Sequence, residues 1–161
     1  MSLTQLGTNS PEGVVAPGLH SEVIQSIGTT ERQLLPSESG SLVLLDAADQ
    51  ITVRLPTPVA GMNFTFQCTV SVTASDTHKV ITKTIASEFI VGGIMSANLT
   101  VASSGDYFVA NGSTHVAIEQ SSTTGGLVGG IFTLTAISAT QWAISGVNVG
   151  SGTNADPFAT S

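Results

Sequence analysis

The chain has 161 residues, 41% of them hydrophobic and only 9% charged, and its 4 basic and 11 acidic side chains leave a net charge of -7. A mean hydropathy of +0.34 argues against a disordered polyelectrolyte, four scattered Lys and Arg cannot neutralise a phosphate backbone, and apolar runs of about five residues fall far short of the roughly 20 that cross a bilayer. A single cysteine, Cys68, excludes an internal disulfide and any cysteine metal cage.

No charged stretch followed by an apolar one opens the chain, so no secretory signal is expected. Residues 1–28 hold Gly7, Pro11, Gly13, Pro17, Gly18 and Gly28, spaced too closely for a long element, and read as an extended N-terminal arm. One short helical turn is expected near Ser21 to Ile27, where Leu19, Val23 and Ile27 share a face at i, i+4 spacing. The arm's apolar residues Val14, Val15, Leu19, Val23, Ile24 and Ile27 have no evident place in a β domain, and mark it as a segment that docks on another surface.

From Thr29 onwards the pattern has period two. Ile51, Val53 and Leu55 alternate with Thr52 and Arg54, and Pro56 closes that strand. From Asn63 to Val72 every position alternates, with Phe64, Phe66, Cys68, Val70 and Val72 on one face and Asn63, Thr65, Gln67, Thr69 and Ser71 on the other. Val116 and Ile118 alternate with His115, Ala117 and Glu119. Ile131 to Ile137 opposes Phe132 and Leu134 to Thr133 and Thr135, and Gln141 to Val147 puts Trp142 and Ile144 on one face. Turn signals separate these runs at Ser39-Gly40, Ala47 to Asp49, Pro58 to Gly61, Gly92-Gly93, Ser103 to Asp106, Asn111-Gly112 and Gly125-Gly126. Asn111-Gly112 is the best hairpin turn, because both residues tolerate positive φ. About nine or ten strands follow from this spacing. The expected fold is all-β: an antiparallel β-sandwich or barrel of jelly-roll type over residues 29–150, preceded by the arm and followed by a short tail over residues 151–161.

Chemistry is sparse. His20, His78 and His115 lack the close spacing of metal-binding pairs and are expected at the surface. Asp46 and Asp49 flank a turn without the dense oxygen ligands of a calcium loop. No Gly-x-Ser-x-Gly elbow marks a nucleophile among the 20 serines, and no glycine pair leads into a phosphate loop. Cys68 lies on an apolar strand face and reads as a small buried hydrophobe. Asn63, Asn98 and Asn111 open glycosylation sequons, of which chance alone produces one or two when 41 of 161 positions are Ser or Thr, and without a signal peptide they carry no expectation. A carbohydrate platform needs exposed aromatics, for which only Trp142 and Tyr107 qualify, and Trp142 is expected in the core beside Ile144. No enzyme activity, metal or cofactor is therefore expected.

Residues 33–66 carry a Ser39-Gly40 pair before an apolar strand, the strand Ile51-Thr52-Val53-Arg54-Leu55-Pro56, the turn Pro58 to Gly61 and the alternating Phe64 and Phe66. This stretch, about a fifth of the chain, resembles a module common in virion proteins of tailed bacteriophages, found in head decoration (cement) proteins and in tail-fibre or spike proteins. The resemblance implies a structural virion component and no catalytic residue. A chain this short has no room for a fibre shaft, so a decoration protein on the capsid exterior is expected, bound to the major capsid protein through the arm and assembled as a homotrimer, with neither nucleic acid nor membrane as partner. The alternative is a tail-fibre adhesin or other carbohydrate-binding β module.

Overall fold

The structure, a computed structural model, describes residues 31–100 and 104–161 in full and the backbone of Val23–Gln25. Those residues form twelve strands: β1 Val23–Gln25, β2 Glu31–Gln33, β3 Leu42–Leu45, β4 Thr52–Arg54, β5 Asn63–Cys68, β6 His78–Ile81, β7 Phe89–Asn98, β8 Gly105–Asn111, β9 Ala117–Gln120, β10 Ile131–Ala136, β11 Gln141–Gly150 and β12 Phe158–Ala159. They build a long sheet in the order β1-β3-β5-β10-β11-β7-β8 and a short one in the order β12-β9-β6-β4-β2. The two sheets pack as an open β-sandwich, not a closed barrel. Strand count exceeds the expected nine or ten because β1, β2 and β12 span only two or three residues, too few to show an alternation.

The period-two runs bury most of the faces they should, but the run expected from Asn63 to Val72 ends as a strand at Cys68, and Val70 beyond it is exposed. Strand β5 alternates at every position, with Phe64, Phe66 and Cys68 inside. On the inner face of the long sheet Phe66 stacks on Phe132 at 5.1 Å between ring centroids, and Phe64 meets Trp142 at 6.0 Å. Facing them, the short sheet presents Val53, Val80, Ile118 and Phe158, aligned strand to strand by register. Each fully buried aliphatic side chain of this size contributes roughly 1.5–3 kcal/mol, which makes the shared core the principal source of stability.

Several features depart from the sequence reading, among them Gly92-Gly93, expected as a turn but held inside β7. Of the ten pairings, five are parallel (β1 with β3, β3 with β5, β11 with β7, β2 with β4, β4 with β6), so the sheets are mixed and not wholly antiparallel. Period-two patterning reports which face is buried and is blind to strand direction, which long-range pairing decides. Val23–Gln25 is extended where a helical turn was expected: β-branched Val23 and Ile24 favour strand, and the free edge of β3 supplies backbone partners, Val23 opposite Leu42 and Ile24 opposite Val43. Asn111-Gly112 closes no hairpin. The Asn111 side-chain oxygen accepts the Ser113 and Thr114 N–H groups at 2.9 and 3.0 Å, an Asx turn that carries the chain from β8 in one sheet to β9 in the other.

The C-terminal segment is likewise more than a tail. Strand β12 pairs with β9, Phe158 opposite Ile118, and the Phe158 ring is buried and stacked on His115 at 5.7 Å.

Candidate functional site

The titratable side chains are engaged one at a time. His78 is fully buried, a correction to its expected surface position: it opens β6 in phase with Val80, facing the core, and its Nδ1 accepts the Ile51 N–H at 3.2 Å. Loss of solvent lowers its pKa, partly opposed by the Ala47 carbonyl and the Asp46 and Asp76 carboxylates. Cys68 is buried as expected, and desolvation pushes its thiol up to about 12, which leaves it without a nucleophilic thiolate. Buried Glu88 accepts the Lys83 and Thr84 N–H groups at 3.1 and 3.2 Å and so holds the turn before β7. Among the described residues no three His, Cys, Asp or Glu side chains gather as a metal site. His20 lies outside those residues.

The informative contrast is between the two outer faces. On the short sheet, register aligns Glu31, Thr52, Lys79 and Glu119 across four strands. Lys79 pairs with Glu119 at 2.9 Å and Arg54 with Glu31 at 2.6 Å, and the latter contact holds the Glu31 pKa below its ordinary value. This face is charged and self-neutralised, and suits water.

The outer face of the long sheet has no charged side chain on β3, β5, β10, β11, β7 or β8. Part of it is hydroxyl-bearing: Thr65 and Thr133 sit opposite each other with their hydroxyls 3.0 Å apart, and Ser145 continues the row. Beside that row runs an apolar one. Ile131 pairs with Val147, Val147 with Met95 and Met95 with Tyr107, so the register lines up four exposed apolar side chains across four adjacent strands. Their exposure rises towards the sheet edge, from 42% and 40% at Ile131 and Val147 to 50% at Met95 and 64% at Tyr107. Val109, also exposed, follows on β8. The Tyr107 ring lies across Gly93, where a Cβ would overlap it, so this glycine makes room for the ring on the sheet surface. In-register apolar side chains without charge among them form a flat surface that loses little on desolvation, and it is the strongest candidate interaction site among the described residues.

A second feature lies between the sheets. Gln120 of β9 donates to the Asn148 side-chain oxygen of β11 at 2.7 Å, and the Asn148 amide donates to the Thr124 carbonyl at 3.1 Å. Both side chains are buried and tie the two sheets together at one end. A Cβ at Gly125 would strike Asn148, which explains a glycine at this turn.

Of the arm residues expected to contact a partner, Val14, Val15, Leu19 and Ile27 lie outside the described residues. Val23 and Ile24 lie in β1, with their backbone aligned on β3 of their own sheet. Of the two aromatics considered for carbohydrate, Trp142 is fully buried and Tyr107 is exposed. Sequence reading passed over the Ile131–Val147–Met95–Tyr107 row because its members come from four segments and are adjacent only through register. No family model matches the chain, and neither the curated proteins nor the solved structures contain a match.

Proposed function

We propose that this chain is a structural virion protein of a tailed bacteriophage that binds the outside of the capsid and stabilises it by bridging coat subunits. The observation that supports the reading most is the asymmetry of the sandwich: one outer face carries paired charges, and the other carries none and presents an in-register apolar row. A charge-poor, hydroxyl-rich and partly apolar face suits a protein–protein contact, since few ions must be stripped of water to form it. The resemblance of residues 33–66 to phage virion modules supports a structural virion component, and the major capsid protein is the partner proposed for it. In this reading the long sheet's outer face seats on the coat, and the residues before β1, with Val14, Val15 and Leu19, reach across a subunit boundary. The role is one of binding, not catalysis. Self-association would join several such contacts, so that after one copy docks the next binds at high effective concentration.

The test is addition of purified protein to undecorated heads, followed by heat challenge. Met95→Lys and Val147→Lys place charges in the apolar row at exposed positions and are expected to keep the fold while weakening head binding by about tenfold or more. Deletion of residues 1–22, which stops short of β1, is expected to reduce protection of the heads further. Unchanged binding by both point variants would remove the sheet face from the mechanism, and unchanged protection by the deletion would remove the arm. The carbohydrate-binding alternative rests on the one exposed ring, Tyr107. A glycan array is expected to be silent; a signal lost in Tyr107→Ala would favour that reading instead.

A further inference from the structure

A sandwich of two open sheets has four edges, and three of them here are short or guarded. Strand β12 has two residues and follows Pro157, and β1 has three among the described residues. Strand β2 has three residues, with Arg32 paired to Glu38 at 2.7 Å and Glu31 to Arg54 at 2.6 Å. Short, charged or proline-flanked edges are the usual means of preventing a strand from recruiting another chain.

Strand β8 lacks all of these. It runs for seven residues without proline, Lys or Arg. Its one charge, Asp106, accepts a hydrogen bond from the Asn154 amide at 2.9 Å. The β7 register and the bond from the Asn98 N–H to the Ser104 carbonyl at 3.2 Å fix which groups face which way. Asp106, Phe108 and Ala110 bond to β7, while the N–H and C=O groups of Gly105, Tyr107 and Val109 point out of the sheet. At the end of the strand the Asn111 N–H is already taken by His115 Nδ1 at 3.1 Å.

We infer that β8 is a self-pairing edge, at which two copies of this chain join by antiparallel β8–β8 pairing about a twofold axis through Tyr107. In that register Tyr107 lies opposite the same residue of the second copy and Gly105 lies opposite Val109, so every outward group of the three residues finds a partner. Asp106 then faces Phe108 of the other copy, and the two carboxylates do not oppose each other. Sliding the register towards Asn111 would require the N–H that His115 holds. On the outer face the two Tyr107 rings become cross-strand neighbours, and the apolar row of one copy continues into that of the other. An isologous contact of this kind consumes both edges and closes at two copies, without forming a fibre. The paired stretch, Gly105 to Val109 of each copy, is about 17 Å long for five residues at roughly 3.4 Å each, which makes a contact smaller than a standard interface and therefore a concentration-dependent dimer. This pairing does not depend on the capsid reading, and it differs from the threefold assembly that the resemblance implies.

Sedimentation equilibrium of the full chain from about 10 μM to about 1 mM decides the stoichiometry, with a reversible monomer–dimer equilibrium expected. Val109→Lys, at an exposed position, is expected to weaken the dimer by about tenfold or more with an unchanged circular dichroism spectrum. Cysteine variants read the register, because the buried Cys68 thiol does not compete. Tyr107→Cys is expected to form a disulfide-linked dimer on oxidation. Val109→Cys is not, since like residues there lie about 14 Å apart, beyond disulfide reach. A monomer throughout the concentration range, a trimer, or equal cross-linking of both cysteine variants would overturn the inference. A monomeric wild type whose Val109→Lys variant loses head binding would assign the edge to the coat protein instead, and would overturn it too.

Discussion

His78 shows how a residue's phase in a strand outweighs its polarity. Its neighbours Lys79 and Val80 place it on the inward side of β6, and the Ile51 N–H is the partner that makes burial tolerable. Nδ1 accepts that bond only in the neutral ring, and burial lowers the folded pKa below its ordinary value. As pH falls below about 6.5 the unfolded chain takes up a proton that the folded chain refuses, so stability is complete above that value and declines beneath it. Urea unfolding is expected to show a loss of about 1 kcal/mol per pH unit below pH 6.5, and His78→Gln is expected to flatten that slope whatever it does to stability at pH 7.5. An unchanged slope in the variant would mean that another group controls this window.

At the scale of elements, β7 and β11 are the longest strands and lie side by side at the centre of one half of the long sheet. Their parallel ladder runs from Gln141 to Ile144, breaks at Ser145 and Gly146, and resumes at Val147. Gly146 sits there with φ 148°, and a Cβ would overlap the Ile131 carbonyl and Phe132 of β10. Gly152 also has positive φ, 73°, but its Cβ would meet open space. Gly146→Ala is therefore expected to cost about 3 kcal/mol or more, through strain added to a backbone collision, and Gly152→Ala about 1 kcal/mol from conformation alone. Denaturant unfolding of the two variants separates these contributions. The C-terminal strand offers a parallel test: Phe158→Ala removes a buried ring from the edge of the short sheet and is expected to cost about 3 kcal/mol.

The whole molecule combines a net charge of -7 with one outer face that carries no charge. Long-range repulsion keeps such a molecule soluble, while contact through the neutral face avoids desolvating ions. If the chain binds phage heads as proposed, that binding is expected to hold, or to strengthen slightly, as salt rises from about 0.05 M to about 0.5 M, because screening acts on the repulsion and not on an attractive ion pair. A binding titration that weakens steeply over this range would point to a charge-driven contact and away from the long sheet's outer face.

Period-two runs in the sequence sufficed for the all-β class, the inward side of β5, β10 and β11, and the burial of Cys68 and Trp142, since alternation between water and core is a local property of each segment. His78 was legible by the same rule, had its phase with Val80 been weighed above its polarity. The candidate site was not. Ile131, Val147, Met95 and Tyr107 are ordinary residues separated by up to 52 positions, and nothing local distinguishes them from other apolar positions. Strand direction, register and the order of strands in each sheet made them one surface and left β8 at an edge. Those quantities depend on backbone hydrogen bonds between distant segments, which side-chain periodicity does not encode.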